Sequence, residues 1–551
     1  MTITDHAAGR ATGRLARDFW AWRAAQRPHS RDDIPRLDRP TGWTPDWSAQ
    51  GVARHRGTLA LFRQAVSTLA PGVAPVPVHV DHRLVSSAVA RAGWELDTLR
   101  LWQRHPGFYV DQALGAVYDL LLPPPPFGPV RAQAVLRHMR DVPRVLGWAE
   151  ENTRECAEAE FTALTIRELE DIETRLARAV RELAPHVSEV SRELAEAAGS
   201  AARALGAFRE RWRARVPGLP PYRPVGEGSF QRYLAEVALL PWTVTELRAL
   251  GRREDDRAAM ADLVGTRHGC PAGEPALPVD AAAQCARHAA AEESVRAFYR
   301  DRALLDLPAD LPRYRTALLP GYLAELSWLG ITDDLTGPNR LAEDAVSYVP
   351  PPRPDLPYFD RANAHDPRLG IIHEGVHHQQ LAMSWRHPDP VRRHFYDSAV
   401  NEGIAFYHEE MVLLAGLFED DPASRRTVRN FMRLRGARVG VDIALAVGGV
   451  TVPEAAELLV REVPLDAATA HHEAAFFALT PGQGLSYQAG KTQVLALLAD
   501  AGRLFGERFE LRRFHNHLWR NGNVPLSLLR WEYLGDREEV DRADALVTAS
   551  A

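Results

Sequence analysis

Lysine is almost missing from this chain of 551 residues: of 66 basic residues, one is a lysine, Lys491. Positive charge is thus arginine charge, and the lone lysine becomes a residue to account for. Cysteine is nearly as scarce. Cys156, Cys270 and Cys285 are too few and too far apart for a disulfide framework or a Cys-x-x-Cys metal knuckle, so we expect free or buried thiols in a reducing compartment. No segment reaches the roughly 18 uninterrupted apolar residues of a membrane-spanning helix. The stretch from Met1 to Arg17 carries Asp5, His6, Arg10 and Arg14 in place of an apolar secretory core. A cytoplasmic protein without a membrane partner is the expectation. An excess of positive charge is lacking too: 66 Lys+Arg against 72 Asp+Glu give a net charge of -6, without a basic block to track a phosphate backbone, so nucleic acid is not an expected partner. A Gly-rich phosphate loop and a Gly-x-Ser-x-Gly elbow are absent, and Arg438 to Gly449 (RVGVDIALAVGG) lacks the spacing of a dinucleotide site.

What is present is ample material for a core, with 46% apolar and 25% charged residues. Apolar positions recur mostly every three to four residues and alternating β-branched runs are few, which predicts an all-α fold. Leu164 to Val187 and Ser188 to Trp212 place Leu, Ile and Ala on one stripe with Glu and Arg opposite, the pattern of surface-packed helices. Proline clusters, such as Pro123 to Pro126 and Pro351 to Pro357, mark loops, and no polar low-complexity linker or fixed-period repeat divides the chain. We therefore expect a single large helical domain over 1–551, with an N-terminal helical lobe at about 1–330, a metal-site region at about 331–551 and a cleft between two lobes.

The chemistry-bearing motif is IIHEGVHHQQLAMSW, Ile371 to Trp385, which contains His373-Glu374-x-x-His377. On a helix, residues four apart share a face, so both imidazoles can serve one cation while Glu374 projects beside them towards water. His378 competes as a ligand, but helical phase turns it about 100° away from His373. Asp397 onwards reads as a second helix, DSAVNEGIAFYHEEMVLLAGLF, and offers Glu402 as a third ligand, completing a His, His, Glu set of the kind that holds catalytic zinc. Glu409, two turns further along, either orients an imidazole from behind or is a solvated helix charge.

These segments resemble the bacterial DUF885 proteins, a group of predicted helical zinc hydrolases or metallopeptidases related at fold level to the M32 and M3 oligopeptidases and carboxypeptidases. The likeness covers most of the chain: HPGFYVDQALGAVYDLLL (His105 to Leu122), RDVPRVLGWAEENT (Arg140 to Thr153), HEGVHH, EGIAFYHEE (Glu402 to Glu410), PGQGLSYQAGK (Pro481 to Lys491) and LFGERFELRRFHNHLWRNGNVPLSLL (Leu504 to Leu529). The family commonly reads HEAxPGHH where this chain has the compact His373-Glu374-x-x-His377. The resemblance implies a gluzincin-like active-site helix, a zinc cofactor and a deep cleft that admits short peptides.

Tyr487 and Lys491 lie four apart, on one predicted helical face. By this spacing and by the resemblance Tyr487 is a candidate oxyanion donor, and Lys491 a candidate anchor for a substrate carboxylate; a core tyrosine and a solvated lysine are the plain alternatives. His515 matches the family's Phe-His and is a further candidate, against a packing role. The resulting expectation is a zinc-dependent hydrolase of an amide or peptide bond, with His373, His377 and Glu402 on the metal, Glu374 as general base and a short peptide or amino-acid derivative as substrate. Its rivals are a specialised-metabolism enzyme that uses the same metal for another reaction, and a non-catalytic helical binding protein.

Overall fold

Amphipathic periodicity becomes helix along most of the described chain. In the computed structural model, which describes residues 3–31, 38–69, 71–267 and 276–550, helices dominate and strands are confined to one small sheet. The N-terminal half stacks long helices, among them α1 (Val76–Gly93), α2 (Pro129–Asn152) and α3 (Ser191–Arg215), with α4 (Val244–Arg267) and α5 (Ala281–Asp301) following. The Leu164 to Val187 stripe is not one helix. It breaks after Glu168, Asp171 takes a left-handed φ of 51°, and a new helix starts at Ile172, because a single αL residue re-aims the chain where the acidic Glu170-Asp171 pair faces solvent.

The sheet departs from the purely helical reading. Strand β1 (Tyr314–Leu318) pairs in parallel with β3 (Ala345–Val349), and the two-residue β2 (Asp333–Asp334) adds antiparallel to the other edge of β3, opposite Ser347 and Val346. Its role is positional: β2 lays Asp333 beside the helix that follows.

That helix, α6 (Glu374–Trp385), starts one residue later than the motif suggests. His373 is its N-cap residue, with φ -113° and ψ -68°, after a turn that ends the short helix Arg368–Ile371. The His377 amide still reaches the His373 carbonyl at 3.3 Å, so the four-residue phase of the pair survives the break. Next come α7 (Ser398–Leu414), α8 (Pro422–Val447), α9 (Ala467–Leu479), α10 (Gln483–Phe505) and α11 (Leu511–Arg520).

Helices α7 and α10 cross at Gly403 and Gly490. A Cβ at 490 would sit 1.7 Å from the Ala399 carbonyl oxygen and one at 403 would sit 2.4 Å from the Gly490 Cα, so only glycine permits this approach. The crossing sets Glu402 of α7 against the Tyr487 turn of α10. One apolar cluster runs from Leu15 to Val540 through both halves of the chain, as expected of a single large all-α domain. Among the described residues no helix is long and apolar enough to cross a membrane.

Candidate metal centre

Three side chains from two elements converge. His373 and His377 at the start of α6 and Glu402 on α7 bring one ligand atom each to within 4.8 Å of one another. His373 Nε2 lies 3.1 Å, and His377 Nε2 3.4 Å, from the same Glu402 oxygen. The far nitrogens are also engaged: His373 Nδ1 lies 2.7 Å from Glu409, and His377 Nδ1 lies 3.1 Å from Glu374. His377 Nε2 is buried and has no hydrogen-bond partner among the described residues. An orphaned imidazole nitrogen aimed at a carboxylate that already serves a second imidazole is costly unless something binds there.

The electrostatics point the same way. Burial opposes the charged form of His377, yet the carboxylates of Glu402 and Glu374 outweigh it and push its pKa up to about 10. His373 is raised as well, burial again being overcome by Glu402 and Glu409. Glu402 runs in the opposite sense: burial favours its neutral form, but the two imidazoles hold it far below the usual carboxylate range. This pocket stabilises positive charge, and a divalent cation meets the same demand as the imidazole protons it would replace. The donor set of two imidazoles and one carboxylate suits zinc.

Behind the centre, Glu409 is fixed in turn by Arg435 of α8, whose Nη2 donates to it at 2.9 Å. In front, Glu374 is the open member. Its side chain is 42% exposed, against 5% for His377 and 4% for Glu402, so it alone of this set fronts solvent. The ring of Tyr487 stacks on His373 at 6.0 Å and 16°, and the Arg438 guanidinium, held by Glu473, lies 4.8 Å from its centre.

Two expected site residues lie elsewhere. The anchoring role for Lys491 is corrected: its ammonium is fully buried, 2.6 Å from Glu254 of α4 and 2.7 Å from Glu410 of α7, so no charge is left for a substrate carboxylate. His515 is likewise sealed in the core of α11. Its Nε2 accepts from the Tyr407 hydroxyl at 2.8 Å and its Nδ1 donates to the Leu304 carbonyl at 2.7 Å, which occupies both nitrogens in packing. His378 donates to the Pro312 carbonyl at 3.0 Å and stacks on Tyr314, outside the converging set.

Three residues of the centre escape the sequence reading. Arg435 and Arg438 are arginines three apart on the buried stripe of α8, among Met432, Leu434 and Val439, and such charge on an apolar face was a usable signal. Asp333 gave none. It sits on β2 with one carboxylate oxygen unpartnered among the described residues, and burial, then the charge of Glu374, push its pKa up to about 7.

Comparison with known proteins adds the fold and little chemistry. The family DUF885, described as "Bacterial protein of unknown function", matches residues 344–532, the stretch that holds every ligand candidate and Tyr487. No curated protein matches the chain. Two solved structures share the fold: a candidate lipoprotein of unknown function from Shewanella oneidensis, with a TM-score of 0.70 at 16% identity over 96% of this chain and 99% of the other, and a candidate lipoprotein from Colwellia psychrerythraea, with a TM-score of 0.71 at 12% identity over the whole of both chains.

Proposed function

We propose that this protein is a zinc-dependent hydrolase of an amide bond in a short peptide or amino-acid derivative. The observation that carries the reading is the convergence of His373, His377 and Glu402 around the orphaned His377 Nε2, with a half-buried carboxylate, Glu374, at its side. His373 Nε2, His377 Nε2 and Glu402 Oε2 would hold the ion. When bound, the ion supplies Lewis-acid chemistry, polarising the substrate carbonyl and acidifying water.

The chain's own groups do the rest. Glu409, braced by Arg435, takes the Nδ1 proton of His373 in a hydrogen bond and so leaves Nε2 as the free lone pair. Glu374 removes a proton from the attacking water and passes it to the departing amine nitrogen. Asp333, set beside Glu374 by β2, keeps a second carboxyl within electrostatic reach of that proton. Tyr487, in contact with His373 and Arg438, presents its hydroxyl to the oxyanion that develops on the carbonyl oxygen. We place the activity in the cytoplasm, in keeping with the free thiols Cys156 and Cys285, although the two structural neighbours are described as candidate lipoproteins.

The test is elemental analysis of protein purified without chelator, followed by assay on a panel of dipeptides and N-acyl amino-acid amides before and after chelation. About one equivalent of zinc and turnover that chelation abolishes and zinc restores are expected. A filled site without turnover on any amide in the panel overturns the reading.

A further inference from the structure

A cavity opens one turn of α10 away from Tyr487, the residue whose ring stacks on His373. It encloses about 190 Å³ and its apolar walls include Trp94, Phe108, Tyr233, Tyr396, Phe476 and Leu479. A cavity of about 150 Å³ is enough to hold a benzene ring, so the space matches one aromatic side chain. Gln483, the first residue of α10, lines it, and Tyr487 lies four residues further along the same face, a rise of about 6 Å. With the Tyr487 ring a further 6.0 Å from that of His373, a short extended ligand held at the metal centre can place a nearby side chain in the cavity.

The walls are built with unusual backbone. Trp94–Leu99, Asp111–Gly115 and Tyr233–Val237 are three separate π-helical turns, and each contributes to this one cavity. In two of them the five-residue bond closes the turn, Arg100 N to Glu95 O and Ala238 N to Tyr233 O, both at 3.1 Å. Such turns are rare and gather at functional sites.

The charges at the rim are already spent. Arg31 is paired with Asp111 and Glu168, Arg91 with Asp397, and Glu95 with Arg23. His105 is the exception. Its side chain is buried, it lines the cavity, and its one polar partner among the described residues is the Phe161 backbone, so at least one ring nitrogen is left unengaged. Burial first, then Arg31 and Arg104, push its pKa down to about 3, so the ring is neutral; with its single N–H turned to the Phe161 carbonyl, the other nitrogen is an acceptor.

We propose that this cavity receives an aromatic side chain of the ligand and that His105 hydrogen-bonds a phenolic hydroxyl carried by that ring, so that tyrosine-like residues next to the reacting amide are preferred. That the ring belongs to a residue beside a scissile amide rests on the hydrolase reading; that the cavity takes a phenol does not. The full-length protein is titrated calorimetrically with N-acetyl-L-tyrosinamide, its phenylalanine counterpart and its alanine counterpart, in the presence of chelator so that hydrolysis is silent. Expected are about tenfold tighter binding of the tyrosine than of the phenylalanine compound, and at least about tenfold weaker binding of the alanine one. His105→Leu should erase the first difference and keep the second. Leu479→Trp, which fills the cavity from the end of α9, should remove binding of both ring compounds and covers the case in which the His105 variant does not fold. Equal affinity for the three amides, or unchanged ring binding in Leu479→Trp, overturns the proposal. Ring binding with no turnover after zinc is restored supports the pocket while sinking the hydrolase reading; turnover without ring preference does the reverse.

Discussion

Helix α7 carries two buried acidic clusters on different faces, and they are resolved in opposite ways. On the face towards α4 and α10, Glu410 and Glu254 meet Lys491 and Arg257, two carboxylates against two cations with every charge answered. On the face towards α6, Glu402 and Glu409 meet two imidazoles and Arg435, yet His377 Nε2, one Glu409 oxygen and two Arg435 nitrogens find no partner among the described residues. A closed network braces helices and has nothing left to bind with. An open one, equally buried, retains unspent affinity, and this separates a strut from a site on a single helix.

The largest expected effect falls on the open cluster. His373→Ala and His377→Ala each remove one of three ligand atoms, so zinc content should drop from about one equivalent to background, and hydrolysis with it. Full occupancy in the double variant would show that the open cluster is not the metal centre. Next is Glu374→Gln, which keeps the side-chain shape and the zinc but loses the base; turnover should fall by about 10²–10⁴. Turnover within a few-fold of the parent would remove Glu374 from the chemistry.

The closed cluster gives a contrasting result. Lys491→Met leaves Glu254 and Glu410 to Arg257 alone, and breaking a buried pair costs about 3–5 kcal/mol, so the urea midpoint should fall. Zinc content and KM of the protein that remains folded should not change. A raised KM for substrates with a free carboxylate, at unchanged stability, would erase the distinction between the two faces.

This contrast also measures what the sequence discloses. His373, His377 and Glu402 are legible because each depends on local phase: four residues along one turn, then a carboxylate near the start of the next helix. Glu409 is legible only in position, seven residues from Glu402, since phase alone leaves it between an imidazole's partner and a solvated charge, and only the fold sets His373 and Arg435 beside it. The fate of Lys491 is not, since its partner Glu254 lies 237 positions away and periodicity says which face is buried, never against what. Asp333 is hidden more deeply, because a two-residue strand has no pattern of its own and exists only through its pairing with β3. The all-α class follows from periodicity summed over hundreds of residues, whereas the three-strand sheet and the Glu168–Ile172 break are decided by tertiary contacts and a single αL residue.

Between the open and closed cases stands Asp442 of α8, a buried carboxylate answered by backbone alone. It accepts from the amides of Gly482, at 3.0 Å, and Leu485, at 2.9 Å, and thereby holds the Pro481-Gly482-Gln483-Gly484 turn from which α10 carries Tyr487 to the metal centre. With no cation beside it among the described residues, burial wins over the amide donors and pushes its pKa up to about 7 from the ordinary 3.8. Between those values the native state binds more protons at this group than the unfolded chain does. Its contribution to stability is therefore fully present below pH 3.8 and is lost as pH rises to about 7. Asp442→Asn removes the ionisation while keeping an acceptor, so the variant's unfolding free energy, measured by urea titration at several pH values, should lose less than the parent's across that window. The change in slope is at most about 1.4 kcal/mol per pH unit. Parallel curves for the two proteins would mean that the turn's amides already hold Asp442 ionised, and that an all-amide cradle closes a buried charge as fully as Lys491 does.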